Sequence, residues 1–400
     1  MARALKYLFV AYRYVVSMTD TFVCAHNSNL CFPALFQFGD SLSDTGNAAA
    51  IFPLALTLVL NPPYGQKAFH PPTGRFSDGF LVIDYLGENR NKSNDCLCGY
   101  ELRCAQHLGI PLLSPYLRSV GANYRQGVDF AFAGATVLNA SFYSQQKVAT
   151  FVPFSLQDEY GWYLKFQRDA DAVSKSFAAL LPDGTSIYAQ ALYVVGEMGG
   201  NDYTILRLSG SSPSTILQTV PAVVDYIGQT IQNLYASGAR KFLVPNIPIL
   251  GCTPLYLTLF GPTSQNYDEY GCLSDDEKIT ALHNNLLTSA VKDLSTQLPG
   301  ALIIVADYHA VVVEVLKKPV EYGISSTNLL RACCGGGGKY NYNPQAPCGS
   351  PASSTCADPS HYIFWDEFHF TDQFNYIVAN AYLSSNSHFV DPQGAFAKCN

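Results

Sequence analysis

Five short apolar runs punctuate the chain, at Ala34–Phe38, Val128–Phe132, Ala191–Val195, Lys241–Pro245 and Ala301–Ala306, with longer amphipathic stretches between them. This alternation restricts the fold more than any other feature. Each run has the length of a buried strand, while the stretches between carry apolar residues at helical spacing. Val223, Ile227, Ile231 and Leu234 form one such face, which Gly238 stops. Ser274-Asp275-Asp276-Glu277 reads as a capping box opening a helix whose apolar face carries Ile279, Leu282, Leu286, Ala290 and Leu294, ended by Pro299-Gly300. Thr371 is the expected cap of a last helix bearing Phe374, Ile377, Val378 and Ala381. Strands alternating with helices predict an α/β protein with a parallel sheet covered on both faces. With no internal repeat and no long linker, a single domain over residues 32–390 is expected.

Open α/β sheets bind ligands beyond the carboxyl ends of their strands. Three chemically apt residues fall there. Ser41 follows the first run, in Phe38-Gly39-Asp40-Ser41-Leu42; Gly134 follows the second and Asn201 the third. Far downstream, Asp366 lies three residues before His369 in Phe364-Trp365-Asp366-Glu367-Phe368-His369, so one short loop carries both. A histidine steadied by a carboxylate can take the proton of a serine hydroxyl, which is otherwise a poor nucleophile at neutral pH. The expected roles are Ser41 as nucleophile, His369 as general base and acid, and Asp366 as the group orienting His369. Each residue has a structural alternative: helix N-caps for Ser41 and Asn201, a tight turn for Gly134, an ordinary loop position for His369. Asp40 and Asp44 are read as structural acceptors of local backbone N–H groups, and Arg75 with Asp78 as an ion pair. His361 is read as structural, and Tyr203 and Trp365 as candidate pocket walls. The α/β-hydrolase nucleophile elbow, Gly-x-Ser-x-Gly, does not fit Gly39-Asp40-Ser41-Leu42-Ser43.

Ser, Gly, Asn and His in this order resemble the four blocks of the SGNH hydrolases, and the flanking residues resemble the plant GDSL esterase/lipase family. The likeness runs from about Phe32 to Leu383. It includes Ser43-Asp44-Thr45-Gly46-Asn47, Thr73-Gly74-Arg75-Phe76-Ser77-Asp78-Gly79, Gly196-Glu197-Met198-Gly199-Gly200-Asn201-Asp202, Gly251-Cys252-Thr253-Pro254, Cys333-Cys334-Gly335, Tyr340-Asn341 and Cys348-Gly349. The third block looks like the branch holding acetylajmalan and sinapine esterases. The resemblance implies a three-layer, flavodoxin-like α/β/α fold with a five-stranded parallel sheet. It also implies an oxyanion hole made by the backbone N–H groups of Ser41 and Gly134 and the side-chain amide of Asn201. The implied activity is that of a secreted serine esterase acting on carboxylic esters of small acylated metabolites, lipids or acylated wall polymers. An acyltransferase using the same acyl-serine, or a catalytically silent binding protein on the same fold, remains open at this point.

Charge and cysteines agree with that class. The net charge is −7 over 400 residues and no long basic run occurs, so a nucleic-acid partner is not expected. No membrane span is expected after the N-terminus. Residues 1–25 read as a signal peptide cut before His26, which predicts an extracellular protein, in the apoplast or vacuole. Twelve cysteines suit an oxidising compartment; Cys252 and Cys272 flank one loop, and Cys333, Cys334, Cys348 and Cys356 cluster, with the pairing left open. Adjacent Cys333 and Cys334 suit zinc spacing badly, so neither a metal nor a cofactor is expected. Asn91 and Asn139 are glycosylation candidates if the chain is secreted. Two stretches look irregular. Residues 87–103, carrying Cys96 and Cys98, interrupt what reads as one helix from Ile83 to Leu108 and suggest a gene-model error. Leu54 to Leu60 looks longer than usual. The oligomeric state has no signal in the sequence.

Overall fold

A computed structural model describes residues 32–86, 110–118, 120–173, 185–264 and 266–384. The expectations for residues 1–25, for Asn91 and for the 87–103 segment lie outside the described residues.

Five parallel strands form the central sheet: β1 (Leu35–Phe38), β2 (Gly127–Asp129), β3 (Leu192–Val195), β4 (Lys241–Pro245) and β5 (Leu302–Ala306), in the order β2-β1-β3-β4-β5. The registers pair Phe36 with Val128 and with Tyr193, so the strand that precedes Ser41 is central. Every residue of β1 and β3 is buried, as expected where helices cover both faces and the strands lose the polar alternation of one-sided sheets. The second run was expected to continue to Phe132, but the regular strand stops at Asp129. Beyond it, Phe130 and Phe132 still donate to the Gln37 and Gly39 carbonyls, while the Asn47 side-chain amide donates to the Asp129 and Ala131 carbonyls, the first shared with Tyr116 N–H.

Alternate residues point into opposite layers. Phe36 and Phe38 meet Tyr163 of the helix Leu156–Val173 edge to face at ring distances of 5.6 and 5.9 Å. Gln37 and Val194 face the other way, toward Val82, Ile83 and Leu86 of the helix Val82–Leu86, with Tyr308 and Tyr382. Helix Val220–Ala236 buries all four predicted apolar residues and packs against the helix Ser274–Gln297.

That last helix departs from expectation twice. Leu273, not Ser274, is the flanking residue, and no side chain caps the end. Glu277 does not close a capping box, because its Oε1 accepts the N–H groups of Leu250 and Gly251 instead. The buried face matches only in part: Ile279 and Leu294 are buried as expected, but Leu282, Leu286 and Ala290 are only partly so, and His283, Asn284, Leu287 and Val291 are buried beside them. Polar residues that find partners inside the protein misled the apolar count. The helix Asp372–Leu383 is capped by Thr371, which accepts from Phe374 N–H, but its buried face includes Ala379 and Tyr382 rather than Ala381.

The cysteine cluster is resolved as Cys333–Cys356 and Cys334–Cys348, with Cys252–Cys272 in a separate loop. Arg75 pairs with Asp84 at 2.7 Å rather than with Asp78; Asp78 faces Lys67 at 3.5 Å. Arg75 and Asp84 are both buried, and the guanidinium's two-pronged contact with the carboxylate selected that partner over the nearer one in sequence.

Candidate active site

The first strand delivers its chain into a turn with few degrees of freedom. Ser43 and Asp44 N–H groups donate back to the Asp40 carbonyl, and Asp40 Oδ1 accepts from Leu42 N–H at 3.1 Å. Gly39 tolerates no side chain, since a Cβ there would lie 2.8 Å from the Gly196 carbonyl oxygen. Its N–H donates to Glu159 Oε2 at 3.0 Å, and Ser43 Oγ donates to Glu197 Oε1 at 2.8 Å. Asp44 accepts from Gly46, Asn47 and Ala48 and, across the sheet, from Ala133. Asp40 and Asp44 are therefore the structural acceptors they were expected to be. Ser41, at the apex, is not a helix cap; Gly46 holds that position for Asn47–Ile51.

His369 Nε2 lies 2.8 Å from Ser41 Oγ, and its Nδ1 lies 2.9 Å from both Asp366 oxygens. A carboxylate against Nδ1 fixes the proton there, leaving Nε2 to accept from the serine hydroxyl. Asp366 also accepts the N–H groups of Phe368 and His369 and the Tyr64 hydroxyl at 2.8 Å. Burial opposes ionisation of Asp366, but the His369 ring and these donors outweigh it and hold the carboxyl below its usual pKa. Burial likewise opposes a charged His369, yet the Asp366 carboxylate lifts its pKa above the ordinary value. The Phe76 ring packs on the imidazole at 4.6 Å between centroids.

The cysteine lobe holds this loop. Cys333 and Cys334 N–H groups donate to the Phe364 and Trp365 carbonyls at 2.9 and 2.7 Å, and Trp365 N–H donates to the His369 carbonyl at 2.7 Å. Trp365 is fully buried against the lobe with Tyr64, so it anchors the loop and presents no exposed face to a substrate. Tyr203 is also corrected: it is fully buried, and its hydroxyl bonds His283 Nδ1 at 2.7 Å. Desolvation drives His283 down to about 3, so it stays neutral.

The remaining predicted residues converge on the same turn. Gly134 has φ +85°, a left-handed conformation costly for any residue with a Cβ. Among the described residues, neither the Gly134 N–H nor the Ser41 N–H donates to a protein acceptor. Asn201 lies inside the helix Gly200–Leu208 and is not its cap, a place taken by Gly199. Its Nδ2 donates to the Ala135 carbonyl at 2.9 Å and to Asp40 Oδ2 at 3.2 Å. Next to it, Asp202 accepts from Val137 and Leu138 N–H groups and from the Tyr143 hydroxyl, tying the segment after Gly134 to the helix of Asn201. Chemically, the arrangement offers a hydroxyl with a base at one side and amide donors at the other.

Several contributors were not foreseen. Glu159, Glu197, Asp129, Asp202 and Tyr64 support the site from within the core. Glu197 and Asp202 belong to the block that contains Asn201, so their buried roles had a local signal; Glu159 and Tyr64 had none. Burial raises the carboxyl pKa of Glu159, Glu197 and Asp129 well above normal, and pushes Asp40 up to about 7. Burial, with Asp366 adjacent, pushes Glu367 up to about 7.

Two predicted features lie apart. His361 bonds the Gly323 carbonyl and faces Asp358 at the surface, as a structural histidine would. Asn139 is exposed and caps the helix Ala140–Gln145 through Phe142 N–H. Cys252, Asp268 and Cys272 cluster within ligand distance, but both sulfurs are spent in a disulfide, as are those of Cys333, Cys334, Cys348 and Cys356. Among the described residues no helix is long and apolar enough to cross a membrane.

Residues 35–382 match the family model for GDSL-like Lipase/Acylhydrolase. Similar curated proteins include three GDSL esterase/lipases of Arabidopsis thaliana. One is 33% identical over 374 residues, covering 90% of each chain. A second is 31% identical over 389 residues, covering 96% of this chain and 92% of the relative. A third is 35% identical over 346 residues, covering 85% and 81%.

Proposed function

Because the chain belongs to the GDSL-like lipase/acylhydrolase family and is a carboxylic ester hydrolase, we propose that it works through an acyl-enzyme on Ser41. One observation carries this reading: the continuous chain from Ser41 Oγ through His369 to Asp366, with contacts of 2.8 and 2.9 Å. His369 Nε2 takes the Ser41 proton as Oγ attacks the ester carbonyl carbon. The Ser41 and Gly134 N–H groups and the Asn201 amide stabilise the tetrahedral oxyanion. The carbonyl re-forms as the bond to the alcohol oxygen breaks, and His369 returns the proton to that oxygen. Water, deprotonated by the same nitrogen, then releases the acid and restores Ser41. Asp366 keeps Nδ1 protonated and offsets the imidazolium charge in both halves.

The substrates are acylated small metabolites, lipids or acylated wall polymers, and the enzyme acts as a single secreted domain over residues 32–390. The disulfides support an oxidising location, and Asn139, exposed in an Asn-x-Ser sequence, is the proposed glycan site. The test is turnover of a short-chain aryl acetate by the wild type, Ser41→Ala and His369→Ala. Loss in both variants with melting temperatures preserved is expected. Turnover retained by folded Ser41→Ala would overturn the assignment.

A further inference from the structure

The Asn201 amide is doubly committed before any ester arrives. Its nitrogen carries two hydrogens, and two acceptors flank it: the Ala135 carbonyl at 2.9 Å and Asp40 Oδ2 at 3.2 Å. Both acceptors face the same terminal atom, which makes that atom nitrogen rather than oxygen. Ala135 follows Gly134 and Asp40 precedes Ser41, so this single amide links the two backbone donors of the oxyanion hole. Asp40 and Asn201 are both buried. The other Asp40 oxygen is occupied by Leu42 N–H. One carboxyl thus spans the nucleophile turn and the side-chain donor.

We propose that Asp40 is a positioning residue for Asn201, holding the amide with its nitrogen toward the reacting carbonyl and yielding the longer of the two hydrogen bonds to the developing oxyanion. The inference rests on reading Asn201 as an oxyanion donor. An asparagine amide turns about a broad terminal torsion, and a half-turn would present its own carbonyl oxygen to the oxyanion, reversing stabilisation into repulsion. The Ala135 carbonyl opposes that turn, since the amide oxygen would then face it at 2.9 Å. The Asp40 carboxyl opposes it too, from the side of the nucleophile turn, because in the turned state a second pair of acceptor oxygens would face each other inside the protein.

The test is a double-mutant cycle with Asp40→Ser and Asn201→Ala. Serine can still accept Leu42 N–H two residues on, as turn serines do, but is too short to reach Asn201. Asp40→Ser is expected to lower kcat on the order of tenfold with KM unchanged, and Asn201→Ala on the order of a hundredfold. The double variant is expected to match Asn201→Ala alone, since Asp40 has nothing left to position. Full activity in Asp40→Ser, or a double variant that loses the product of the two effects, overturns the role of Asp40. Full activity in Asn201→Ala overturns the oxyanion reading itself. If Asp40→Ser does not fold, Asp40→Asn supplies the same cycle, because a single amide oxygen cannot serve both Leu42 and Asn201.

Discussion

Tyr64→Phe removes one atom from the site without touching Ser41 or His369. The Tyr64 hydroxyl donates to Asp366 Oδ2 at 2.8 Å in a fully buried setting, beside Trp365 and the cysteine lobe. A hydrogen bond to a buried charge contributes about 1.5–3 kcal/mol, and the phenylalanine ring fills the same volume, so that range bounds the total loss. Asp366 is ionised both before and during the reaction, which means most of the loss appears as stability. Because the Tyr64 hydroxyl draws on the carboxylate charge that stabilises the imidazolium, its loss does not weaken that stabilisation, and kcat changes by less than about threefold, where ~1.4 kcal/mol is tenfold. The sign of the pH effect follows from the donor inventory. Without Tyr64 the Asp366 carboxylate keeps more of its charge for His369, whose pKa is already raised, so it rises further. The acid limb of kcat/KM, set by protonation of His369, moves to higher pH. The assays are a urea unfolding curve and a pH–rate profile on an aryl acetate. Unchanged stability together with an unmoved or lowered acid limb would refute the reasoning.

Three further outcomes are expected. Gly134→Ala forces a Cβ onto φ +85°, 3.3 Å from the Phe151 Cβ, at a backbone cost of about 1–2 kcal/mol; displacement of its N–H lowers kcat on the order of a hundredfold, read by kinetics beside a melting curve. Paired Cys333→Ser and Cys356→Ser substitutions open a link between residues 23 apart and lower stability by about 2–4 kcal/mol, with activity falling because Cys333 N–H holds the loop of Asp366. The third concerns pH. Asp40 is raised from 3.8 to about 7, Asp202 and Asp78 to about 6, each chiefly by burial, and the folded state therefore keeps protons that the unfolded chain releases. Their stabilising contribution is complete below the unfolded values and is lost as pH rises through the folded ones. Asp366, depressed, acts the other way only below its ordinary value, and His283, lowered from 6.5 to about 3, acts the other way up to about pH 6.5, one group against the three raised carboxyls. Melting temperature should therefore decline from about pH 5 to about pH 7.5, and a steady rise over that range would contradict the assignment.

The sheet was legible because its strands are buried on both faces and read as unbroken apolar runs, ending within one or two residues of the observed strands except at Phe132. The loop carrying Asp366 and His369 was legible because the two residues are three apart and needed no tertiary information. Partners distant in sequence were not. Asp366 and Tyr64 meet across 302 positions, and Gly39 and Glu159 across 120, with nothing local to announce either contact. Arg75 was matched to the nearer acid, Asp78, because proximity along the chain cannot show which carboxylate shares its buried space. The helix Ser274–Gln297 misled for a related reason: His283 and Asn284 are polar yet inward-facing, and only the fold supplies Tyr203 and the Ile247 backbone as their partners.

The most direct test of the acyl-serine is to treat the protein with a fluorophosphonate, digest it and locate the adduct by mass. The prediction is one modified peptide, carrying Ser41, and no adduct in His369→Ala under the same exposure. An adduct on another residue, or a folded and ester-hydrolysing enzyme in which Ser41 is never modified, would contradict it.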